Sequence, residues 1–404
     1  MAWHVVAVKL NAVRKTVAKA IDTQDGTLNR LIESGKADAV FPAAGRGRAA
    51  VEKAQQARPS TRARQTAEPT LPLPDAYVID VTTDAETREL LEQLGEDPTV
   101  DFAFVAPPRF VLTAHRGSGA QSTKGTGAQP SRWGVSAINL DKARQQAGFS
   151  DVCEVVVGII DSGLDSSHPD LAGSKATYVP RSARSKDTSG HGTHVTGIVA
   201  AVPAGPLGMK GVCKPTLRVY QALDPYSPAL YYRTLREALE TCDIVNLSLG
   251  GPHDPVEEQI IARSLDTTVV VAAMGNEYEE GNETSYPAAI EGVIAVGAVD
   301  QNLRRGQFSN TGPHIALCAP GVEIWSTVPS YRAKLAAQVN YDTWDGTSMA
   351  APFVTGVVAL LLAKEPELVP SQVRNRLKTR YCLGQTQFCE EFGAGIIDAE
   401  ATLR

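Results

Sequence analysis

The chain has 404 residues, 43% of them hydrophobic and 21% charged, with a formal net charge of −6 at pH 7. This balance is typical of a globular enzyme with two or three domains of about 150 residues each, and it excludes a basic surface for nucleic acids or anionic membranes. Six cysteines are too few for a disulfide scaffold, and the longest apolar stretch, residues 350–363, is shorter than the ~20 residues that span a bilayer. We therefore expect neither a nucleic-acid nor a membrane partner.

Residues 1–115 carry the pattern strand–helix–strand twice, which predicts a small α+β domain of the ferredoxin-like kind. The predicted elements are strand 3–10, helix 28–34, strand 37–41, strand 77–81, helix 85–94 and strand 100–105. Residues 44–74 are rich in Arg, Ala, Gln, Thr and Pro, and we interpret them as a mobile insertion. Residues 116–127 have the composition of a flexible linker.

Residues 128–404 show short apolar strands that alternate with helices. The predicted strands are 154–160, 244–248, 268–273 and 292–296, and the predicted helices are 192–201, 229–240, 256–265, 348–363 and 370–377. Near-continuous apolar strands with intervening helices predict an α/β domain with a mainly parallel sheet and helices on both faces. In such sheets the functional residues collect at the carboxyl ends of the strands.

Polar residues follow or open several of these elements. Asp161 ends a buried strand, His191 and His194 open a helix, Asn276 follows another strand, and Ser348 opens the long apolar helix. Taken singly, Asp161 and Ser348 are typical of helix caps and Asn276 of a turn. The two histidines have the spacing of zinc ligands, but no third ligand stands at a useful distance along the chain.

Taken together, these residues favour nucleophilic catalysis. Asp161, His191 and Ser348 follow one another in the chain order of subtilisin, which differs from the orders of α/β-hydrolases and chymotrypsin-like enzymes. Ala350 stands where the nucleophile elbow G-x-S-x-G requires its last glycine, so that alternative is weak.

Residues 128–404 resemble the catalytic domain of the subtilisin-like serine proteases, the subtilase family or peptidase family S8. The motifs that carry the resemblance are Val157-Gly158-Ile159-Ile160-Asp161-Ser162-Gly163, His191-Gly192-Thr193-His194-Val195-Thr196-Gly197, Asn246-Leu247-Ser248-Leu249-Gly250-Gly251, Ala272-Ala273-Met274-Gly275-Asn276 and Gly346-Thr347-Ser348-Met349-Ala350-Ala351-Pro352. The resemblance implies a serine endopeptidase that acts on peptides or proteins.

The resemblance also implies roles for single residues. Ser348 would be the nucleophile, His191 the general base and Asp161 the residue that orients the imidazole. Asn276 would donate its amide to the oxyanion. The family's strand that pairs with substrate corresponds to Ser248, Leu249 and Gly250, and Gly275 would lie at the floor of the first specificity pocket.

The N-terminal part resembles an inhibitory prodomain over residues 77–107, and the flexible stretch 114–128 is predicted to be cut by Ser348. The alternative is an accessory domain that is never removed.

In the catalytic part, residues 224–228 replace the glycine-rich edge strand of the family, which leaves the distal substrate pockets undefined. Two more functions stay open: a dedicated peptide-processing or peptide-ligating enzyme, and a catalytically silent peptide-binding scaffold.

The family requires no cofactor for catalysis, although many members bind calcium. Gln129 and Asp170 match two calcium ligands, but the loop 202–208 lacks the carboxamide residue that completes the site.

Cys382 and Cys389 are close enough in sequence to form a disulfide in an oxidising compartment. The N-terminal residues lack the pattern of a signal peptide, which favours a cytoplasmic location, with secretion as the alternative.

The segment 277–285 follows Asn276 and carries four glutamates in nine residues. If these carboxylates border the first specificity pocket, they favour a basic residue before the scissile bond. The alternative is a solvated loop that points away from the pocket.

Overall fold

The protein is described by a computed structural model that covers residues 3–9, 26–34, 36–39, 76–113, 132–179, 186–205 and 208–404. The predicted insertion 44–74, the linker 116–127 and the stretch 114–128 lie outside the described residues.

The N-terminal part contains a four-stranded antiparallel sheet in the order β2-β3-β1-β4. Its elements are β1 (Trp3–Lys9), α1 (Thr27–Glu33), β2 (Ala37–Ala39), β3 (Ala76–Val81), α2 (Asp84–Gly95) and β4 (Val100–Val105). Alternate residues of β1 point to opposite faces, as the period of a strand requires. Val5 and Ala7 pack with Leu28 and Leu94 of the two helices, whereas the face that carries Val6 joins the core of the larger part.

The larger part is built on a nine-stranded sheet in the order β16-β17-β13-β12-β11-β9-β6-β8-β7, in which only the pair β16 and β17 is antiparallel. The strands are β6 (Val152–Asp161), β7 (Lys175–Val179), β8 (Lys214–Gln221), β9 (Ile244–Leu247), β11 (Val269–Ala273), β12 (Ile294–Val299), β13 (Ile315–Pro320), β16 (Thr379–Arg380) and β17 (Ile396–Ile397). The predicted mainly parallel sheet is confirmed. A separate two-stranded sheet pairs β14 (Ile324–Thr327) with β15 (Tyr341–Trp344).

The helices of this part fill the connections between strands. They are α3 (Trp133–Ala137), α4 (Leu140–Ala143), α5 (Pro169–Ala172), α6 (His191–Ala200), α7 (Pro228–Thr241), α8 (Pro255–Ala262), α9 (Thr347–Lys364), α10 (Pro370–Arg376) and α11 (Ala399–Thr402). Helix α9 contacts α6 and five strands of the sheet. By length and composition it is the one helix of the described chain that could cross a membrane, but 89% of it is buried inside the protein, as in a core helix.

The two parts meet along a short pair of strands. After β4 the chain continues through β5 (Phe110–Val111), which pairs antiparallel with β10 (Leu249–Gly250). The pairing places Val111 opposite Leu249 and Phe110 opposite Gly250. The N-terminal part therefore ends on the strand that the sequence identified as substrate-binding.

Candidate active site

Asp161 and His191 form a buried, hydrogen-bonded pair at the carboxyl edge of the sheet. Asp161 is the last residue of β6 and His191 the first of α6. Nδ1 of His191 lies 2.8 Å from Oδ1 and 2.9 Å from Oδ2 of Asp161, and neither residue is exposed. A buried carboxylate is costly without such partners, and the backbone N–H of Ser162 donates a further hydrogen bond to Oδ1 at 2.6 Å.

A second buried carboxylate, Asp187, holds the start of α6 in place. Its Oδ1 accepts hydrogen bonds from Ser162 Oγ and Gly190 N, at 2.8 and 2.7 Å. Its Oδ2 accepts from Thr193 N at 2.8 Å and from Thr193 Oγ1 at 2.6 Å. Burial raises the pKa of Asp187, and these four donors act against that rise. The turn that presents His191 is thus fixed from both sides.

Ser348 lies in the first turn of α9, after the N-cap residue Gly346. The predicted alternative, that Ser348 is itself the N-cap, is therefore wrong. Its hydroxyl donates to the carbonyl oxygen of Ser248 at 3.0 Å. Nε2 of His191 is buried and has no hydrogen-bond partner in the described part of the chain, so this nitrogen remains available to accept a proton.

Asn276 follows β11 and is oriented by the start of α9. Its Oδ1 accepts hydrogen bonds from the backbone N and from Oγ1 of Thr347, at 2.9 and 2.8 Å. With Oδ1 so fixed, Nδ2 must point the other way, and this buried nitrogen has no partner among the described residues. An amide held with its N–H groups unsatisfied is the arrangement of an oxyanion donor.

The strand of Ser248, Leu249 and Gly250 is fully buried beneath β5. A Cβ on Gly250 would lie 2.8 Å from a side-chain carbon of Leu112 and 2.4 Å from Oγ of Ser285, so only glycine admits both neighbours. Gly275 has φ 112°, and a Cβ there would meet Nδ2 of Asn310 at 2.2 Å. Packing against Asn310 thus explains this glycine.

The sequence profile described as the subtilase family matches residues 153–395. The chain belongs to the subtilase family. Its enzyme class is accordingly that of the subtilisin-like serine endopeptidases.

Two subtilisins illustrate how similar this subtilase is to known sequences. Subtilisin DY of Bacillus licheniformis is 38% identical over 287 residues, which cover 68% of this chain and 99% of the relative. Subtilisin E of Bacillus subtilis (strain 168) is 36% identical over 287 residues, which cover 68% of this chain and 71% of the relative.

Two solved structures share the fold. Fervidolysin from Fervidobacterium pennivorans, described as a keratinolytic enzyme related to subtilisin, matches with a TM-score of 0.63 and 22% identity. That match covers all of this chain and 61% of the fervidolysin chain. A protease from Pseudoalteromonas arctica PAMC 21717 matches with a TM-score of 0.55 and 26% identity, over 66% of this chain and 93% of the protease.

His194, the second histidine of the motif that opens α6, has a packing role in this subtilase. The ring of His194 stacks on Trp344, with centroids 4.5 Å apart and planes 3° from parallel. Burial, together with the nearby His191, lowers the pKa of His194 to about 3, so the ring is neutral. The described residues contain no cluster of His, Cys, Asp and Glu side chains that could hold a metal ion.

Asp170 does not fit the calcium ligand that the sequence resemblance suggested. Its two oxygens accept hydrogen bonds from the backbone N of Ala204, the backbone N of Met209 and the hydroxyl of Tyr341. Both oxygens of Asp170 are thus engaged by protein donors, whereas a calcium ion takes six to eight oxygen ligands. Gln129 lies outside the described residues.

Of the four glutamates after Asn276, Glu277 lies beside Gly275, where a Cβ would be 2.9 Å from its Oε2. Oε2 of Glu277 accepts hydrogen bonds from Asn276 N at 2.8 Å and Asn310 Nδ2 at 3.1 Å, while Glu279 and Glu280 are exposed. One carboxylate of this segment therefore lies next to the glycine predicted at the floor of the first specificity pocket, and the preference for a basic residue stays a prediction. At the C-terminus, Cys382 and Cys389 are separate thiols, so the disulfide considered from sequence is not formed.

Three residues of the site escaped the sequence analysis. Asp187 stands four residues before His191 and looks like an ordinary turn residue, although Asp-x-x-Gly before a helix is a signal for a side-chain cap. Thr347 next to Ser348 carried no separate signal. Arg109 follows two prolines, and nothing near it in sequence indicates that its partners lie more than 140 positions away.

Proposed function

We propose that this subtilase hydrolyses peptide bonds with Ser348 as nucleophile, His191 as general base and Asp161 as the residue that orients the imidazole. The observation that carries the proposal is the buried bond between His191 Nδ1 and Asp161, which leaves Nε2 as the unpartnered nitrogen of the ring. A neutral imidazole with its proton held on Nδ1 is the tautomer that can accept a proton at Nε2.

The reaction then follows from the chemistry of these groups. Ser348 Oγ attacks the carbonyl carbon while its proton passes to His191 Nε2, and Asp161 stabilises the imidazolium. Asn276 Nδ2 and the backbone N–H of Ser348 donate to the oxyanion. The imidazolium gives its proton to the leaving amine, and water, activated by the same imidazole, releases the acyl group.

We also propose that the N-terminal part is a prodomain that the enzyme cuts from itself and that inhibits until it is degraded. Support comes from the path of the chain after β4. Tyr226 Oη donates to the carbonyl oxygen of Pro107 at 3.1 Å, and the following strand β5 covers Leu249 and Gly250. A segment held in this way blocks the strand that would pair with substrate, and attachment to the same chain raises its effective concentration.

The experiment compares the wild-type full chain with Ser348→Ala. The wild type is expected to separate into two fragments and to hydrolyse an unstructured protein such as casein, whereas Ser348→Ala remains one chain and is inactive. Mass spectrometry of the products distinguishes hydrolysis from transfer to an amine. An intact wild type with full activity would make the N-terminal part an accessory domain, and an active Ser348→Ala would overturn the triad.

A further inference from the structure

Arg109 is a buried arginine in an acidic pocket of the catalytic part. Its Nε donates to Oε1 of Glu257 at 3.0 Å and its Nη2 to Oε2 of Glu257 at 2.6 Å, so the two groups form a bidentate pair. Nη1 donates to the carbonyl oxygen of Pro252 at 2.9 Å and to that of Pro108 at 3.2 Å. Oδ2 of Asp254 lies 4.0 Å from Nη2. Neither side chain of the Arg109–Glu257 pair is exposed to solvent.

The side chains that line the pocket around the guanidinium belong to the catalytic part. Glu257 and Asp254 stand in the first turn and at the N-cap of α8, where Oδ1 of Asp254 accepts from the backbone N of Val256 and Glu257. Tyr231 and Tyr232 of α7 donate their hydroxyls to Glu257 and Asp254. The Coulombic attraction of Glu257 raises the pKa of Arg109 despite its burial, so the arginine is charged.

Arg109 leads into a strand that pairs with Leu249 and Gly250, the segment predicted to pair with substrate. It immediately precedes β5, whose Phe110 and Val111 pair with Gly250 and Leu249. Leu112 comes next, and its side chain lies against Gly250, near Ser285. Arg109 is therefore the third residue before Leu112 on a strand that is bound through its backbone.

Leu112 brings a carbonyl group to the catalytic residues. A Cβ placed on Gly346 would lie 2.5 Å from the carbonyl oxygen of Leu112 and 3.3 Å from Nδ2 of Asn276, so the two atoms face the same small space. Gly346 has φ 154° and precedes Ser348 by two residues. The carbonyl of Leu112 thus lies beside the amide of Asn276, the proposed oxyanion donor, at the start of the helix that carries Ser348.

We propose that the pocket around Glu257 is a substrate subsite that selects arginine, and that the enzyme cleaves after the sequence Arg-Xaa-Xaa-Leu, with Leu112–Thr113 as the first such bond. The proposal rests on the proposed function. Ser348 Oγ forms an ester with the Leu112 carbonyl as the C–N bond to Thr113 breaks and its nitrogen takes the proton from His191. Water then hydrolyses the ester, which leaves fragments 1–112 and 113–404.

Selection follows from what the pocket retains once residues 1–112 have left. Glu257 and Asp254 keep their bonds to Tyr231, Tyr232 and the start of α8, so the pocket still presents two fixed carboxylates to a guanidinium group. A new strand with arginine at this position restores both Nε and Nη2 contacts, whereas lysine offers one ammonium and cannot form the bidentate pair. Citrulline has the shape of arginine without its charge.

The test uses the processed wild-type enzyme and internally quenched peptides that contain Arg-Phe-Val-Leu-Thr. In three matched peptides the arginine is replaced with citrulline, lysine or leucine. We expect cleavage after leucine in the arginine peptide, with a kcat/KM about 100-fold or more above that of the citrulline peptide and with lysine between them. In the full chain, the larger fragment is expected to begin at Thr113.

Two variants test the pocket itself. Glu257→Gln is expected to bring the arginine-to-citrulline ratio of kcat/KM close to one. Glu258→Gln, which removes an exposed carboxylate of the same helix that pairs with His253 just before the N-cap, should keep the wild-type ratio. The proposal is overturned if the wild-type enzyme cleaves the arginine and citrulline peptides with kcat/KM values within about fivefold of each other, a difference that a solvent-exposed ion pair can produce. Cleavage of the peptide at another bond would also overturn it.

The wild-type peptide series decides the question even where Glu257→Gln fails to fold. If a fluorophosphonate labels Ser348 but the peptides are cleaved equally or not at all, the pocket assignment alone fails, and Arg109 is only an anchor within the chain. If Ser348 is not labelled and no peptide is cleaved, the proposed function fails as well.

Discussion

The hydroxyl groups of Ser348 and Ser248 each donate to the other residue's carbonyl oxygen, both at 3.0 Å. This exchange fixes the start of α9 against the strand that pairs with Phe110 and Val111. It also shows where the Ser348 hydroxyl rests in the uncleaved chain. Before attack the hydroxyl must turn from the Ser248 carbonyl towards His191 Nε2.

The Ser248 hydroxyl also accepts from Nδ2 of Asn246 at 2.9 Å, so Ser248→Ala leaves one buried donor unsatisfied. We expect the free energy of unfolding to fall by about 1–3 kcal/mol. The measurement is urea unfolding in a Ser348→Ala background, which prevents self-digestion. The matched control, Ser150→Ala at an exposed position, should change stability by no more than about 0.5 kcal/mol. Equal stabilities for the two variants would show that the Ser248 hydroxyl contributes nothing to stability.

Asn276→Ala should lower kcat about 10²–10³-fold with little change in KM, because the amide stabilises the negative charge that forms on the oxyanion during the reaction. The size of this decrease is the known loss for the oxyanion asparagine of subtilisin. Thr347→Val keeps the amide but removes the hydroxyl that holds its Oδ1, and a smaller fall in kcat is expected. Steady-state kinetics on one peptide measure both variants. A raised KM with unchanged kcat in Asn276→Ala would assign the amide to substrate binding instead.

Asp187→Asn tests the support of His191. An amide accepts hydrogen bonds through one oxygen only, so two of the four donors that Asp187 satisfies lose their acceptor. We expect a loss of several kcal/mol in the free energy of unfolding, since each unsatisfied buried donor costs about 1–3 kcal/mol. We also expect lower kcat in whatever fraction folds. If both kcat and the free energy of unfolding are unchanged in Asp187→Asn, Asp187 does not hold the turn that carries His191.

His194 makes stability depend on pH. Its pKa is lowered in the folded protein to about 3, whereas the unfolded chain protonates near the ordinary value of 6.5. Between these values the unfolded state binds more protons, so stability falls as the pH drops, by at most about 1.4 kcal/mol per pH unit for this residue. His194→Phe keeps a ring against Trp344 and should show a shallower fall between about pH 7 and pH 5 in urea unfolding. If the free energy of unfolding depends on pH equally steeply in the wild type and in His194→Phe, His194 does not have this role.

Much of the fold follows from the sequence because its signals are local. The apolar run that ends at Asp161 and the apolar helix that begins at Thr347 are recognisable without any tertiary contact. Strand β8 was not predicted because its buried and partly buried residues alternate and Pro215 interrupts it, unlike the continuous apolar strands at the centre of the sheet.

The parts of the site that escaped prediction depend on distant partners. Residues 224–228 left the distal pockets undefined, and only the folded chain brings Tyr226 to Pro107 and Glu257 to Arg109. The contacts of Asp170 could not be predicted for a related reason. The backbone of a short loop turns its N–H groups onto Asp170, and no residue type in that loop announces this direction.

The identity of the nucleophile is tested most directly by covalent labelling. The wild-type protein is treated with a fluorophosphonate probe, digested with trypsin and analysed by mass spectrometry, with Ser348→Ala treated in parallel. The account predicts that the probe is found on Ser348 alone and that the variant is unlabelled. Labelling at another residue, or equal labelling of Ser348→Ala, would contradict it.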